Sequence, residues 1–168
     1  MLIEILSIVG VIESVIFIAG IAWAVSLWFK GILPVLLRLG NGLAKRKIGI
    51  FAKSDNQNSL KHLIMDSGLF SSKNIYEISK AEDIGRAEKA SIYLVYWPDW
   101  AEDITKILEK KADNCALVVY APSDKGRIPE NVMKMLDGNR NSSVTNFRGR
   151  LLNDIVTAVM TTSYSEKD

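Results

Sequence analysis

Ile92-Tyr93-Leu94-Val95-Tyr96 is an unbroken run of β-branched, aliphatic and aromatic residues, and Ala116-Leu117-Val118-Val119-Tyr120 repeats its character farther along the chain. A strand with one wet face alternates apolar and polar residues. A strand that is apolar throughout is buried on both faces, as the central strands of a parallel sheet are. Working outward, runs of the same kind at 48–52, 75–78 and 143–147 join those at 91–97 and 115–121 to make five strands. Amphipathic stretches at 59–67, 81–89, 100–111, 129–136 and 149–162 lie between or after them.

This alternation implies an α/β domain of the Rossmann-like class, with a mostly parallel five-stranded sheet and right-handed crossovers. The chain has 168 residues, enough for one such domain and one membrane segment. Its hydrophobic fraction of 48% and mean hydropathy of +0.11 are high for a soluble chain, and the excess is local. Residues 5–29 are apolar except for Ser7, Gly10, Glu13, Ser14, Gly20 and Ser26. As a helix this stretch is roughly 37 Å long, enough to cross a ~30 Å hydrocarbon core with tilt. The organisation expected is therefore a transmembrane helix at 1–30, an interfacial helix or bent linker at 31–47, a cytosolic domain at 48–163 and a disordered tail at 164–168.

A cleaved signal peptide is the competing reading, because Ala22-Trp23-Ala24 mimics a small-x-small cleavage site. Against it, residues 1–4 carry no basic side chain and the apolar run exceeds a signal core. Lys30, Arg38, Lys45, Arg46 and Lys47 follow the span and no lysine or arginine precedes it. The positive-inside rule then puts the N-terminus outside and the domain in the cytoplasm, single-pass in a cell membrane. The single Cys115 suits a reducing compartment.

On a helical wheel Gly10, Glu13, Phe17, Gly20 and Ala24 share one face, so small residues and the one acid of 5–29 lie together. A carboxyl facing lipid costs a few kcal/mol, about 2.5–3.5 on insertion scales. The face is therefore expected to meet another copy of the chain, in a homo-oligomer such as a tetramer, or to line a pore. The alternative is that Glu13 lies at the outer headgroups and ends the buried segment.

In open α/β sheets ligands bind beyond the carboxyl ends of the strands. The loops expected there are Lys53-Ser54-Asp55-Asn56, Trp97-Pro98-Asp99-Trp100, Ser123-Asp124-Lys125-Gly126-Arg127 and Asn146-Phe147-Arg148-Gly149-Arg150. From them Lys53, Ser54, Trp97, Ser123, Lys125, Arg148 and Arg150 are the candidate ligand-binding residues. Arg148 and Arg150 open the last helix, where free amides and the dipole favour an anion and arginine adds bidentate phosphate geometry. Trp97 and Trp100 could stack a base. The bland counterparts are a helix-capping Asp99, tryptophans packed on the sheet and solvated arginines.

No catalytic constellation emerges. His62, the one histidine, falls in a helix beside Leu60, Leu63 and Ile64, and Cys115 begins a buried strand. There is no Ser-His-Asp order, metal-ligand spacing or P-loop, and Gly40-Asn41-Gly42 precedes the first strand instead of following it. A phosphoacceptor receiver could use Asp99, but the first strand ends in Lys53-Ser54-Asp55 without an acidic pair. Neither a metal nor a cofactor is expected. The formal net charge of +2 is spread without a basic block, so DNA is not an expected partner.

One span followed by a small Rossmann-like domain, with Lys53, Ser54, Ser123, Lys125, Arg148 and Arg150 at the strand ends, resembles the membrane effectors of prokaryotic antiviral defence whose CARF-type domain binds a cyclic oligoadenylate. The resemblance is one of architecture across the whole chain. It implies a homo-oligomer in the inner membrane of a bacterium or archaeon, in which binding of a cyclic oligonucleotide alters a bundle of spans and permeabilises the membrane. The other readings are a membrane-anchored scaffold recruiting a protein partner, and a membrane-tethered, TIR-like or nucleoside-hydrolysing enzyme.

Overall fold

The computed structural model describes residues 2–162. The chain divides into two compact units, Met1–Leu39 and Gly40–Asp168. The expected tail at 164–168 lies outside the described residues.

Helix α1 runs from Leu2 to Lys45 without interruption, where the sequence suggested a span followed by a separate interfacial helix or bent linker. Pro34 sits inside it. Proline lacks the N–H that would bond the carbonyl four residues earlier, yet its fixed φ is compatible with the helix. Val9–Leu37, with a mean hydropathy of 2.0, is long and apolar enough to cross a membrane, and none of its most apolar window is buried within the chain. Gly10, Glu13, Phe17, Gly20 and Ala24 are all exposed on α1. The Ser14 hydroxyl donates to the Gly10 carbonyl at 2.8 Å, so the helix satisfies that polar group itself.

The second unit carries strands β1 (Ile48–Phe51), β2 (Ile75–Ile78), β3 (Ile92–Tyr96), β4 (Ala116–Tyr120) and β5 (Ser142–Thr145). All pair in parallel, in the order β2-β1-β3-β4-β5. This is one of the common doubly wound orders, with its reversal between β1 and β3. Both central runs singled out above are buried at every residue. Successive side chains go to opposite faces. Phe51, Tyr93, Val95, Leu117 and Val119 join a core with Ile84, Ile104, Ile107 and Leu136. Ile50, Leu94 and Val118 belong to the other face, where α2 (Ser54–Asp66) and α6 (Leu151–Thr161) contribute buried Leu60, Ile64, Leu151, Ile155 and Val159.

Several elements differ from the expected bounds for identifiable reasons. The stretch Ala81–Lys89 is a 3₁₀ helix, because its buried residues Ile84, Ala87 and then Ala90 recur every three residues, the 3₁₀ period. The expected helix 100–111 is shorter, α4 (Ile104–Lys110), and a separate turn of helix, α3 (Trp97–Trp100), with Pro98 in its first turn, precedes it where the strand end and loop were expected. Helix α5 spans Glu130–Asp137, and a 3₁₀ turn at Arg148–Arg150 precedes α6. Arg46, one of the basic residues that follow the apolar stretch, is 2% exposed. Its guanidinium donates to the hydroxyl and carbonyl oxygens of Thr162, satisfying the end of α6 as arginine often does at helix C-termini.

Gly49 in β1 lets the 3₁₀ helix approach the sheet: a Cβ there would lie 3.3 Å from the Ala87 methyl and 3.3 Å from the Phe51 ring. Gly49→Val should therefore lower the unfolding free energy by about 1–3 kcal/mol through overpacking. Denaturant titration of the full-length protein in detergent, followed by tryptophan fluorescence, measures this. An unchanged midpoint would mean the two layers separate at no cost.

Candidate functional site

The carboxyl ends of the strands are joined by side chains reaching between elements. Asp99, at the start of α3 beyond β3, accepts the Lys53 backbone N–H at 2.7 Å and the Asn56 side-chain amide at 3.2 and 3.3 Å. Lys53 is the N-cap residue of α2 and supplies no capping side chain of its own. Asp99 thus caps the neighbouring helix, and α2 begins at Ser54, earlier than the 59 read from the sequence. A carboxylate at a helix N-terminus also complements the dipole. Ser54 has φ of +48°, an uncommon backbone conformation for a residue with a Cβ, and the adjoining Asp99 contacts hold the turn in place. The Lys53 ammonium lies 5.5 Å from the centre of the Trp100 ring.

Next to this clasp a cavity of about 220 Å³ opens between α2 and the Arg148 turn. Asn56, Ser59 and Leu60 line it from α2, Tyr96 and Tyr120 from the last positions of β3 and β4, and Pro122, Asp124 and Lys125 from the loop after β4. Arg148 completes it and donates to the Ser59 carbonyl at 2.9 Å, linking the start of the last helical segment to α2. The loop after β4 turns tightly, with the Lys125 N–H on the Pro122 carbonyl at 3.0 Å and Gly126 at φ +118°. That turn presents Asp124 and Lys125 together.

Tyr96 and Tyr120 have ring centroids 5.7 Å apart. Burial raises the Tyr96 hydroxyl above its ordinary pKa, the neighbouring Lys125 ammonium offsets part of the rise, and Asp99 adds to it. The phenol stays protonated near neutral pH and is able to donate a hydrogen bond.

Of the residues singled out from the sequence, Lys125 and Arg148 line this cavity. Lys53 and Ser54 stand at the Asp99 clasp, while Ser123 and Arg150 are exposed outside the lining. Trp97 and Trp100 are 5% and 1% exposed and belong to the core, so neither offers a free face for a base. In the sequence Tyr96 and Tyr120 stand only as the ends of the two central apolar runs. Their place at the ends of the two central strands, in the register that faces α2 and α6, was the available signal. His62 is exposed, and Cys115 is buried, with its thiol 3.4 Å from the Ala116 carbonyl. Among the described residues no group of three or more His, Cys, Asp or Glu could hold a metal ion.

Asp99→Ala removes an acceptor from both Lys53 and Asn56. It should destabilise the first turn of α2 by about 1–3 kcal/mol, the cost of losing hydrogen bonds to a charged group. Hydrogen exchange of the amides at 54–58 in the full-length protein should accelerate while that of β3 and β4 stays slow. Unchanged exchange at 54–58 would show that the clasp contributes nothing to α2.

No family model, curated protein or solved structure compared with the chain matches it.

Proposed function

We propose that this protein is a membrane effector whose α/β domain binds a phosphate-bearing, nucleotide-like signal and whose α1 helices assemble into a pore or membrane-disrupting bundle. The observation that carries the reading is the convergence of Lys125 and Arg148 on one cavity at the carboxyl edge of the sheet, in a chain that also carries the 29-residue apolar stretch Val9–Leu37. Two cations against the single carboxylate of Asp124 leave the lining net positive. Arginine and lysine are the residues that bind phosphate, by fork geometry and as a point charge. The edge of the sheet is also where doubly wound folds hold ligands.

For α1, the Gly10, Glu13, Phe17, Gly20 and Ala24 face supports self-association. In lipid, small residues let helices approach closely, and a carboxyl seeks protein or water. Val9–Leu37 is about 43 Å long as a helix, longer than a ~30 Å hydrocarbon core, so tilt or a protruding end accommodates it. Lys45 and Lys47, on the C-terminal side, support an N-out, cytoplasmic-domain orientation in an inner membrane. Ligand control requires different affinities for the resting and the open assembly. A cyclic oligonucleotide is the signal suggested by the resemblance to antiviral membrane effectors.

The test is membrane potential in cells expressing the wild type, Glu13→Ala, or Lys125→Ala combined with Arg148→Ala, with and without a co-expressed source of cyclic oligonucleotides. Depolarisation in the wild type that depends on the signal and is lost in both variants supports the reading. An unchanged potential in every arm overturns the pore and leaves a membrane-anchored scaffold.

A further inference from the structure

We infer that the cavity recognises a ribose-phosphate unit, with Lys125 and Arg148 on the phosphate and Asp124 accepting from the ribose 2′-hydroxyl, and that it does not read the base. This rests on the proposal above that the ligand carries phosphate.

The first argument is what each polar lining group has left to give. The Asn56 amide nitrogen already donates to both oxygens of Asp99, which fixes the amide against the clasp and takes it from the set free to turn toward a base. The Ser59 carbonyl is taken by Arg148, which engages it through one terminal nitrogen and keeps further N–H donors. Lys125, Asp124 and the two tyrosines complete the polar set.

The second argument is the pairing of opposite charges on one turn. A carboxylate beside two cations weakens a site built for a bare phosphate. It strengthens a site for a ligand that is anionic at one end and a hydroxyl donor at the other. An acidic residue accepting from the ribose 2′-hydroxyl is the same chemistry that doubly wound dinucleotide folds use. Among the described residues Asp124 makes no ion pair or hydrogen bond, so its carboxylate is available.

The third argument concerns the aromatic rings. Tyr96 and Tyr120 are 4% and 8% exposed, so their faces are used within the fold and not offered for stacking. The cavity of about 220 Å³ is also below the ~300–1,000 Å³ usual for small-molecule sites. It suits one sugar-phosphate unit, leaving the base outside.

The experiment is equilibrium binding to the full-length protein in detergent by calorimetry. The probes are adenosine 5′-monophosphate and cyclic tetraadenylate, each against its 2′-deoxy counterpart, with cyclic tetrauridylate added. The wild type should bind the ribose form about tenfold or more tightly than the deoxy form, the loss typical of a hydrogen bond to a charged group. It should bind the adenine and uracil cyclic probes within about threefold of each other, since nothing in the lining reads the base. Asp124→Ala should abolish the ribose preference while the deoxy probes bind as well as before or better, and Arg148→Ala should weaken every probe. Equal binding of ribose and deoxy forms by the wild type, a preference that survives Asp124→Ala, or strong preference for one base overturns the inference and leaves the phosphate reading intact. Failure of every probe to bind overturns both.

Discussion

A parallel ladder of five short strands keeps its backbone hydrogen bonds dry only if both faces are covered, and the rest of the α/β unit follows from that requirement. The helices must lie on both sides, since each crossover between parallel neighbours has to travel over a face. The strands become apolar at every position, as β3 and β4 are. Polar side chains are thereby driven to the ends of the strands. The cavity and the Asp99 clasp both sit at the carboxyl ends for this reason, and the Arg46 contact with Thr162 lies where α6 ends.

The carboxyl edge is held by contacts between elements distant in sequence. Asp99 begins a helix after β3 yet completes the N-terminus of α2, and Arg148, beyond β5, reaches the Ser59 carbonyl. Asp99 satisfies the N–H of Lys53 at the start of α2, and Arg148 adds a second donor to a carbonyl within that helix. They also leave the cavity lining with a particular inventory: an amide and a carbonyl already engaged, two cations that keep further donors beyond their contacts with Ser59 and Tyr96, a carboxylate and two phenols. That inventory, more than the shape of the cavity, suggests a sugar phosphate as the ligand.

Helix α1 obeys a different constraint. A helix of 44 residues that exposes Ile16, Phe17, Ile18 and Trp23 at 66%, 70%, 65% and 70% gains nothing from water. Lipid or other copies of the same helix would cover such a surface, and Glu13 among Gly10, Gly20 and Ala24 is the one position on that face with a reason to prefer protein. Between its ends the helix bonds its own backbone in either setting, apart from the carbonyl that Pro34 leaves without an N–H, and a helix that does so is a form a hydrocarbon core accepts.

The fold class was legible from the strands because burial on both faces leaves a local mark, an uninterrupted apolar run, and because α/β alternation admits few topologies. The apolar helix was legible for the same reason: length and hydropathy are additive along the chain. The site was legible only in part. Lys125 and Arg148 could be placed at the edge from loop position alone, whereas the start of α2, the burial of Trp97 and Trp100, the role of Asp99 and the burial of Arg46 depend on partners far away in sequence. Tyr96 and Tyr120 belong to the site because the sheet register brings the ends of β3 and β4 together, Tyr96 opposite Tyr120. Local pattern by itself determined which segments are strands, which helix suits a membrane and which loops share an edge. Only the tertiary structure decided which side chains on that edge are spent on the fold and which are left over, because hydrogen bonds between distant segments leave no periodicity in the chain.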